Sequence, residues 1–471
     1  MTERNPPPHF EYAEPQKPLE YERYHQGYAI PIDKGFKQNV KMPVRDLGTA
    51  RQRDKARYFS KEVMDLEWER LWPKVWLMVG HLTDIPRKDC HMVVDVGHES
   101  FVVVRGAGNE VRAMYNFCQH RGSQLVNHDF GCSKRFVCPL HKWEYANTGK
   151  LTCITDRETF RKEALEHDLN LKPVRCEVWR DWVFINMDLD AQPLVDFLGP
   201  EVIQAMATYD FEGAIRIRDV VQEWPANWKT AHENFNEGYH VQATHPELWP
   251  VVDTYHSQYD LYRNGHSRGI YPFMKPLPSH IPYLKDGELR PEHHLFLREA
   301  GVKDADFPKH WKDVPGAIIK AKRKQKTGPI DYSKFSDGQL TDDWGVGLFP
   351  THEFFLHPEG FLVQYWLPHP SDPEKCIYHA QVYAVPGIGE LPTFMGVKEA
   401  DLSGKTVLPR TYAHTDDLMA AGPVVSQDRE IVPKVQRGLH SRGFHGAVLS
   451  EQEIRIRDFF EEYYKYLRNE K

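Results

Sequence analysis

Four residues in two short clips carry the strongest chemical signal in this chain: Cys118-Gln-His120 and, seventeen residues on, Cys138-Pro-Leu-His141. Each clip can present one thiol and one imidazole from a single tight loop. Gly122 and Gly131 lie between them, and Pro139 stiffens the second. Zinc takes a Cys₂His₂ set readily, though typically from Cys–Cys and His–His clips. A two-iron, two-sulfur cluster can instead be held with both Cys on one iron and both His on the other, which raises its reduction potential above that of an all-Cys cluster. One Cys and one His per clip suits the second arrangement. Two facing clips would put both sulfurs on one side and both imidazoles on the other. Zinc remains the rival chemistry.

A second constellation lies in residues 227–245, NWKTAHENFNEGYHVQATH, which contain Glu237, His240 and His245. On an ideal helix, two histidines five apart point about 140° away from each other, so their convergence requires the helix to be distorted or to end. Pro246 follows directly. Two histidines with one carboxylate form the facial triad of oxygen-activating ferrous sites, which leaves coordination positions open. Either histidine alone would more often be an ordinary hydrogen-bonded residue. His352-Glu353 with His357 has the residue types of a zinc protease, but the spacing is wrong and the segment reads as a strand.

Both constellations resemble those of the Rieske non-haem iron oxygenases, in particular the large (alpha, terminal oxygenase) subunit of the aromatic-ring-hydroxylating dioxygenase family. Arg121 and Gly122 follow the first clip, and Trp143 and Tyr145 follow the second. Lys142 departs from the family's usual glycine. Ser123 and Pro139 stand where respiratory Rieske proteins carry two extra cysteines, which favours the oxygenase branch. The second stretch resembles E-N-x-x-(D/E)-x-Y-H-x-x-x-x-H as Glu233, Asn234, Glu237, Tyr239, His240 and His245. The resemblance implies a [2Fe-2S] Rieske cluster on Cys118, His120, Cys138 and His141. It also implies a mononuclear non-haem Fe(II) on His240, His245 and a downstream aspartate, assigned to Asp428 from its place eight residues before Gln436; Glu430 is the alternative. Glu237 takes the place of a bridging carboxylate, usually Asp, between the iron ligand and a cluster histidine of the next subunit. Electrons from an NAD(P)H-dependent reductase, directly or through a ferredoxin, would then run by His141, Glu237 and His240. The assembly implied is a homotrimer, with or without a small beta subunit. The reaction implied first is cis-dihydroxylation of an aromatic ring with O₂; the alternative is monooxygenation or demethylation of an amine, ether or quaternary ammonium compound. The reading from another class is a zinc-stabilised binding protein.

The elements that must position these residues follow from pattern. At 471 residues, the chain exceeds one ordinary core. It divides into an extended arm over 1–55, a Rieske domain over 56–187 and a catalytic domain over 188–471. The expected fold is α+β: an all-β Rieske domain beside a helix-grip domain with an antiparallel sheet, the latter implied by the resemblance. Residues 58–76 carry Phe59, Val63, Leu66, Leu71 and Trp72 at helical spacing, with Ser60 as a cap. Short β-rich runs follow from Val75 to Asn186, and a second strand block covers 345–385. From Ser450, a capping box with Glu453 opens a terminal helix whose Ile454, Phe459, Tyr463 and Leu467 lie near one face. Trp249, Phe273 and Phe349 are candidates for a substrate pocket. The basic run Lys320 to Lys326 reads as a solvated irregular loop. Seven cysteines, an odd number scattered along the chain, argue against a disulfide framework, and Cys132, Cys153 and His128 read as structural. A net charge of −7 argues against nucleic acid. The absence of a long apolar run and of a basic-then-apolar N-terminus makes a cytoplasmic protein the expectation.

Overall fold

The computed structural model describes residues 11–13, 49–52, 54–108, 110–277, 287–389, 402, 406–414 and 416–471. Most of the arm expected over 1–55 lies outside the described residues. Its end, Thr49–Gln52, pairs antiparallel with Ala447–Val448 of the same chain, and the Lys55 ammonium donates to the carbonyls of Ser441 and Phe444. Among the described residues no helix is long and apolar enough to cross a membrane.

Seven antiparallel strands form the first sheet, in the order Leu77–His81, Trp182–Asn186, Pro173–Trp179, Val111–Tyr115, Glu99–Arg105, Cys90–Val96 and Phe130–Cys132. A small three-stranded sheet, Arg135–Val137, Glu144–Ala146 and Leu151–Cys153, packs beside it. The alternation of side chains along a strand explains the nearly unbroken apolar runs. Cys90, Met92, Val94, Phe101 and Val103 face the main core, whereas Val93, Val102 and Val104 face a second, smaller core that holds Cys118 and Cys138. The same sheet pairing sets Cys90 opposite Cys132 and joins them in a disulfide of 2.07 Å. This corrects the expectation of no disulfide: strand register brings together two cysteines whose spacing carries no such signal.

The second sheet has eight strands: Gln258–Leu261, Ser267–Tyr271, Asp343–Leu348, His352–His357, Gly360–Pro368, Cys376–Ala384, Ile215–Trp224 and Thr411–Ala413. All neighbours are antiparallel except the last pair. The terminal helix Ile454–Leu467 lies buried against this sheet, with Arg455 Nη2 donating to both Glu353 carboxylate oxygens, at 2.6 and 2.8 Å. The expected capping box is half formed: Glu453 accepts the Ser450 N–H, and the first turn is 3₁₀. The basic run is corrected from loop to helix, Val314–Lys324, because Val314 and Ile318 bury one face and Lys322 reaches the buried Glu359 at 2.7 Å.

Helix Lys61–Arg70 is capped by Ser60 as expected. Its Glu67 is fully buried and binds three donors from elsewhere: Lys229 Nζ at 2.5 Å, Trp228 Nε1 at 3.1 Å and Tyr463 Oη at 2.6 Å. One carboxylate therefore ties the leading helix, the segment that carries His240 and the terminal helix. Removing it would strand the Lys229 charge in the interior, where an uncompensated ion costs several kcal/mol. Glu67→Ala is predicted to lower unfolding free energy by about 3–5 kcal/mol, read from the shift in a urea denaturation midpoint; a change under about 1 kcal/mol, the scale of an ordinary surface pair, would show that the node is not needed.

Candidate metal centres

The two clips fold as the same loop used twice. In each, the cysteine N–H donates to the carbonyl five residues on, Cys118 to Ser123 at 2.9 Å and Cys138 to Trp143 at 2.8 Å. The residue four on returns its N–H to the cysteine carbonyl, Gly122 at 2.9 Å and Lys142 at 3.0 Å. That fourth position is left-handed in both loops, with φ +73° at Gly122 and +57° at Lys142. The physical demand for glycine is therefore met in the first loop and not in the second.

Both cysteines are buried, unoxidised and close enough to interact. The two imidazoles lie outside them, half-buried, with ring centroids 4.7 Å apart. Sulfurs inward and imidazoles outward is the arrangement that the alternating clips allow. The Nδ1 atoms of His120 and His141 are buried and have no hydrogen-bond partner, a donor pair left over for a metal. Trp143 stacks on His120 at 4.8 Å, with Phe160 at its edge. Burial, then His141 and Arg121, hold His120 below its ordinary pKa, in the neutral form that can ligate. Burial pushes the Cys138 thiol up, but N–H groups of His141 and Leu140 outweigh it and leave it below its ordinary value. The Tyr145 hydroxyl accepts the Gln119 N–H at 3.0 Å and lies 3.4 Å from Cys118 Sγ.

In the second site, the helix breaks as convergence required: Trp228–Glu233 ends, and helix resumes only at Val241–Thr244. The break brings His240 Nε2 to 3.2 Å from His245 Nε2. Asp428 arrives on helix Pro423–Leu439, its Oδ1 3.5 Å from His240 Nε2 and 3.1 Å from His245 Nε2. Three donors about 2.1 Å from one ion and at right angles would be about 3.0 Å apart, so this set fits a facial triad. Among the described residues it forms a group of histidine and acid ligand atoms that all lie within 4.8 Å of one another. Glu430, two residues past Asp428, is exposed. Pro433 does not end the helix, which continues to Leu439.

Each candidate ligand is held from behind. His240 Nδ1 donates to Glu237 Oε1 at 2.7 Å, and Glu237 Oε2 accepts the His240 backbone N–H at 2.9 Å. Burial alone would lower the His240 pKa; the Glu237 carboxylate, with Asp428, outweighs it and raises it. His245 Nδ1 donates to Gln427 Oε1 at 2.5 Å, and Asn234 Nδ2 donates to Asp428 Oδ1 at 2.9 Å. Gln436 straps the two helices by accepting from Asn227 N and Thr230 Oγ1. Gln427 went unread in the sequence, where nothing but adjacency to Asp428 marks it.

The triad opens into a cavity of about 380 Å³. Phe273 lines it as expected, beside Phe296, Phe355 and Leu362. Phe349 instead packs on Phe459 and Tyr466 in the core, and Trp249 is turned to the Val241 carbonyl. His352 and Glu353 serve the sheet, bonding Met78 O and Arg455.

Two donor sets of these kinds suit an iron–sulfur cluster and a second, oxygen-activating type of metal centre. Comparison with known families agrees: the model of the Rieske [2Fe-2S] domain matches residues 75–166, and that of the ring hydroxylating alpha subunit (catalytic domain) matches residues 211–469. The latter is more than half of the chain, and the chain belongs to this family of Rieske non-haem iron oxygenase alpha subunits. Zinc is thereby set aside at the first site. Among similar proteins, the glycine betaine monooxygenase oxygenase subunit of Pseudomonas aeruginosa is 31% identical over 192 residues, 41% of this chain and 44% of that one. The anthranilate 1,2-dioxygenase large subunit of Acinetobacter baylyi is 30% identical over 206 residues, 40% and 41%. The carnitine monooxygenase oxygenase subunit of Escherichia coli is 30% identical over 223 residues, 46% and 58%. The chain thus spans about half the length of the curated relatives it matches. Among solved structures, a quaternary ammonium Rieske monooxygenase in complex with L-carnitine superposes with a TM-score of 0.61 at 21% identity, over 90% of this chain and 99% of that one. Naphthalene 1,2-dioxygenase with indole bound gives 0.60 at 18%, over 91% and 94%. At these identities the likeness shows the fold.

A left-handed backbone costs a non-glycine residue roughly 1–2 kcal/mol, partly offset by the unfolded-state freedom that glycine adds. Lys142→Gly is therefore predicted to stabilise the cluster loop by about 0.5–1 kcal/mol, seen as a later loss of cluster absorbance in a denaturant titration. An earlier loss would show that the lysine side chain, not its backbone, matters there.

Proposed function

We propose that this chain is the terminal oxygenase of a multicomponent system, with Cys118, His120, Cys138 and His141 holding the cluster and His240, His245 and Asp428 holding a ferrous ion. The observation that carries this is the second donor set: three ligand atoms 3.1–3.5 Å apart at the wall of a largely apolar cavity. When bound, the cluster supplies single electrons and the ferrous ion supplies dioxygen activation. The chain's own residues do the rest. The half-buried His120 and His141 lie where an electron-donating reductase or ferredoxin can approach, with Arg121, Leu140 and Lys142 exposed around them. Glu237 and Gln427 fix the tautomers of His240 and His245, so that both Nε2 atoms face Asp428 with free lone pairs. The aromatic cavity wall excludes water and seats the substrate.

Glu237 uses two of a carboxylate's roughly four acceptor positions on His240. The remaining positions suit an imidazole N–H from a neighbouring subunit, the bridging role expected of this residue in a trimer. Two readings of the reaction have support. Monooxygenation of a quaternary ammonium compound is favoured by the relatives acting on glycine betaine and carnitine, by glutamate at position 237, and by Glu292. The Oε2 atom of Glu292 is buried at the cavity wall without a hydrogen-bond partner among the described residues, one helical turn from Phe296, and an acid beside aromatic faces suits a cation. Dihydroxylation of an aromatic acid is favoured by the apolar remainder of the wall and the anthranilate relative.

Asp428→Ala is predicted to lower iron from about three to about two atoms per chain, with acid-labile sulfide and visible colour unchanged; full retention of iron would move the ligand elsewhere. Glu237→Ala is predicted to leave the cluster spectrum intact while slowing coupled oxygen uptake at least about 10–100-fold, the usual cost of losing a carboxylate behind a metal-bound histidine. Normal turnover in that variant would refute the assigned role.

A further inference from the structure

The cavity wall holds a cation that makes no ion pair among the described residues. Arg218 lies on strand Ile215–Trp224, in a row of paired residues that continues through Val382 and Leu362 to Phe355. Leu362 and Phe355 also line the cavity. A bulge between Arg216 and Arg218 breaks the alternation, and bulges re-aim side chains. Arg216 is turned away to buried partners, Asp84 at 3.3 Å and Asp219 at 2.6 Å. Arg218 is aimed into the cavity, and its one hydrogen bond among the described residues goes to the Ala420 carbonyl, at 2.6 Å.

The acids of the same wall do not serve it. Glu237 is taken by His240, Asp343 by His357 at 3.1 Å and Glu247 by Gln427 at 3.2 Å. Asp428 is taken by His240 and His245, and Glu292 forms no ion pair with Arg218 among the described residues, its Oε2 having no hydrogen-bond partner there. Burial lowers the Arg218 pKa with no carboxylate to offset it, although a guanidinium stays charged. The guanidinium also lies against the start of helix Pro423–Leu439: a Cβ placed on Gly422 would be 3.8 Å from both Nη1 and Nη2. The positive end of that seventeen-residue helix reinforces the arginine.

We propose that Arg218 anchors an acidic group of the substrate, so that this cavity selects small organic compounds bearing an ionised carboxylate or sulfonate over analogues in which that group carries no charge. The inference rests on the oxygenase reading for the cavity's purpose and adds the residue that reads the substrate. With Glu292 lining the same cavity, the best-matched ligand is one that carries both an anionic and a cationic group.

The test uses iron-loaded protein and four acids, glycine betaine, carnitine, anthranilate and 2-aminobenzenesulfonate, each beside its methyl ester. Calorimetry under argon gives affinity, and oxygen uptake with product analysis, driven by a reductase, gives kcat and KM. The expected result is that the wild type binds at least one acid better than its ester. Arg218→Gln should then weaken that acid about 10–100-fold, the worth of one charged hydrogen bond, raise its KM far more than it lowers kcat, and leave the ester unchanged. Arg218→Lys should recover part of the loss. Unchanged iron content and cluster spectrum show that both variants are folded. Acid binding by Arg218→Gln at wild-type strength, wild-type indifference between acid and ester, or no binding of any of the four acids overturns the proposal. Arg218-dependent binding without hydroxylated product would instead overturn the oxygenase reading and leave the anchor standing.

Discussion

Two imidazole nitrogens and a carboxylate oxygen held 3.1–3.5 Å apart repel one another unless a cation or a proton stands between them. The architecture around His240, His245 and Asp428 is best understood as what enforces that convergence. A continuous helix would splay the two histidines, so the helix stops at Glu233 and restarts at Val241. Asp428 must come from 183 residues downstream, so a long helix is packed beside the broken segment and strapped by Gln436 to Asn227 and Thr230. Glu67 anchors the near end of the broken segment through Lys229 and Trp228. Each tie fixes backbone close to a ligand, which is how a site keeps its geometry against side-chain entropy.

The two donor sets divide by exposure. The clip histidines stand half-buried at the surface with their sulfur partners inward, where a protein donor can reach them. His245 and Asp428 are only 2% exposed and face a half-open, mostly apolar cavity. Low polarity there strengthens every charge that remains, and so favours the proposed role of Arg218 and Glu292, which form no ion pair among the described residues, in reading a substrate.

Legibility followed sequence distance. The clips are local, so their residue types and spacing carried the donor set, and the left-handed position in each loop explains the glycine pattern from which Lys142 departs. The strands of 75–186 and 345–385 and the capped helix at Ser60 were readable from period and punctuation. Asp428 came only through the family resemblance, since no local feature links it to His240. Gln427, Arg218 and Glu292 were not readable, because their roles arise from a neighbouring helix, a bulge and an i,i+4 relation seen only once the cavity exists. The Cys90–Cys132 bond hid in strand register. Phe349 and Trp249 were misplaced because an aromatic in a strand-rich stretch looks the same whether it faces a core or a pocket. The basic run was misread because its apolar face is only Val314 and Ile318, while its charges find partners far away in the chain.

The central claim is that one polypeptide builds two distinct iron centres. Anomalous diffraction at the iron edge from crystals of the iron-loaded protein tests it most directly. Two separate peaks are predicted: an elongated one among Cys118, His120, Cys138 and His141, and a compact one bounded by His240, His245 and Asp428. A zinc signal at the first position, or no iron density at the second, would contradict the account.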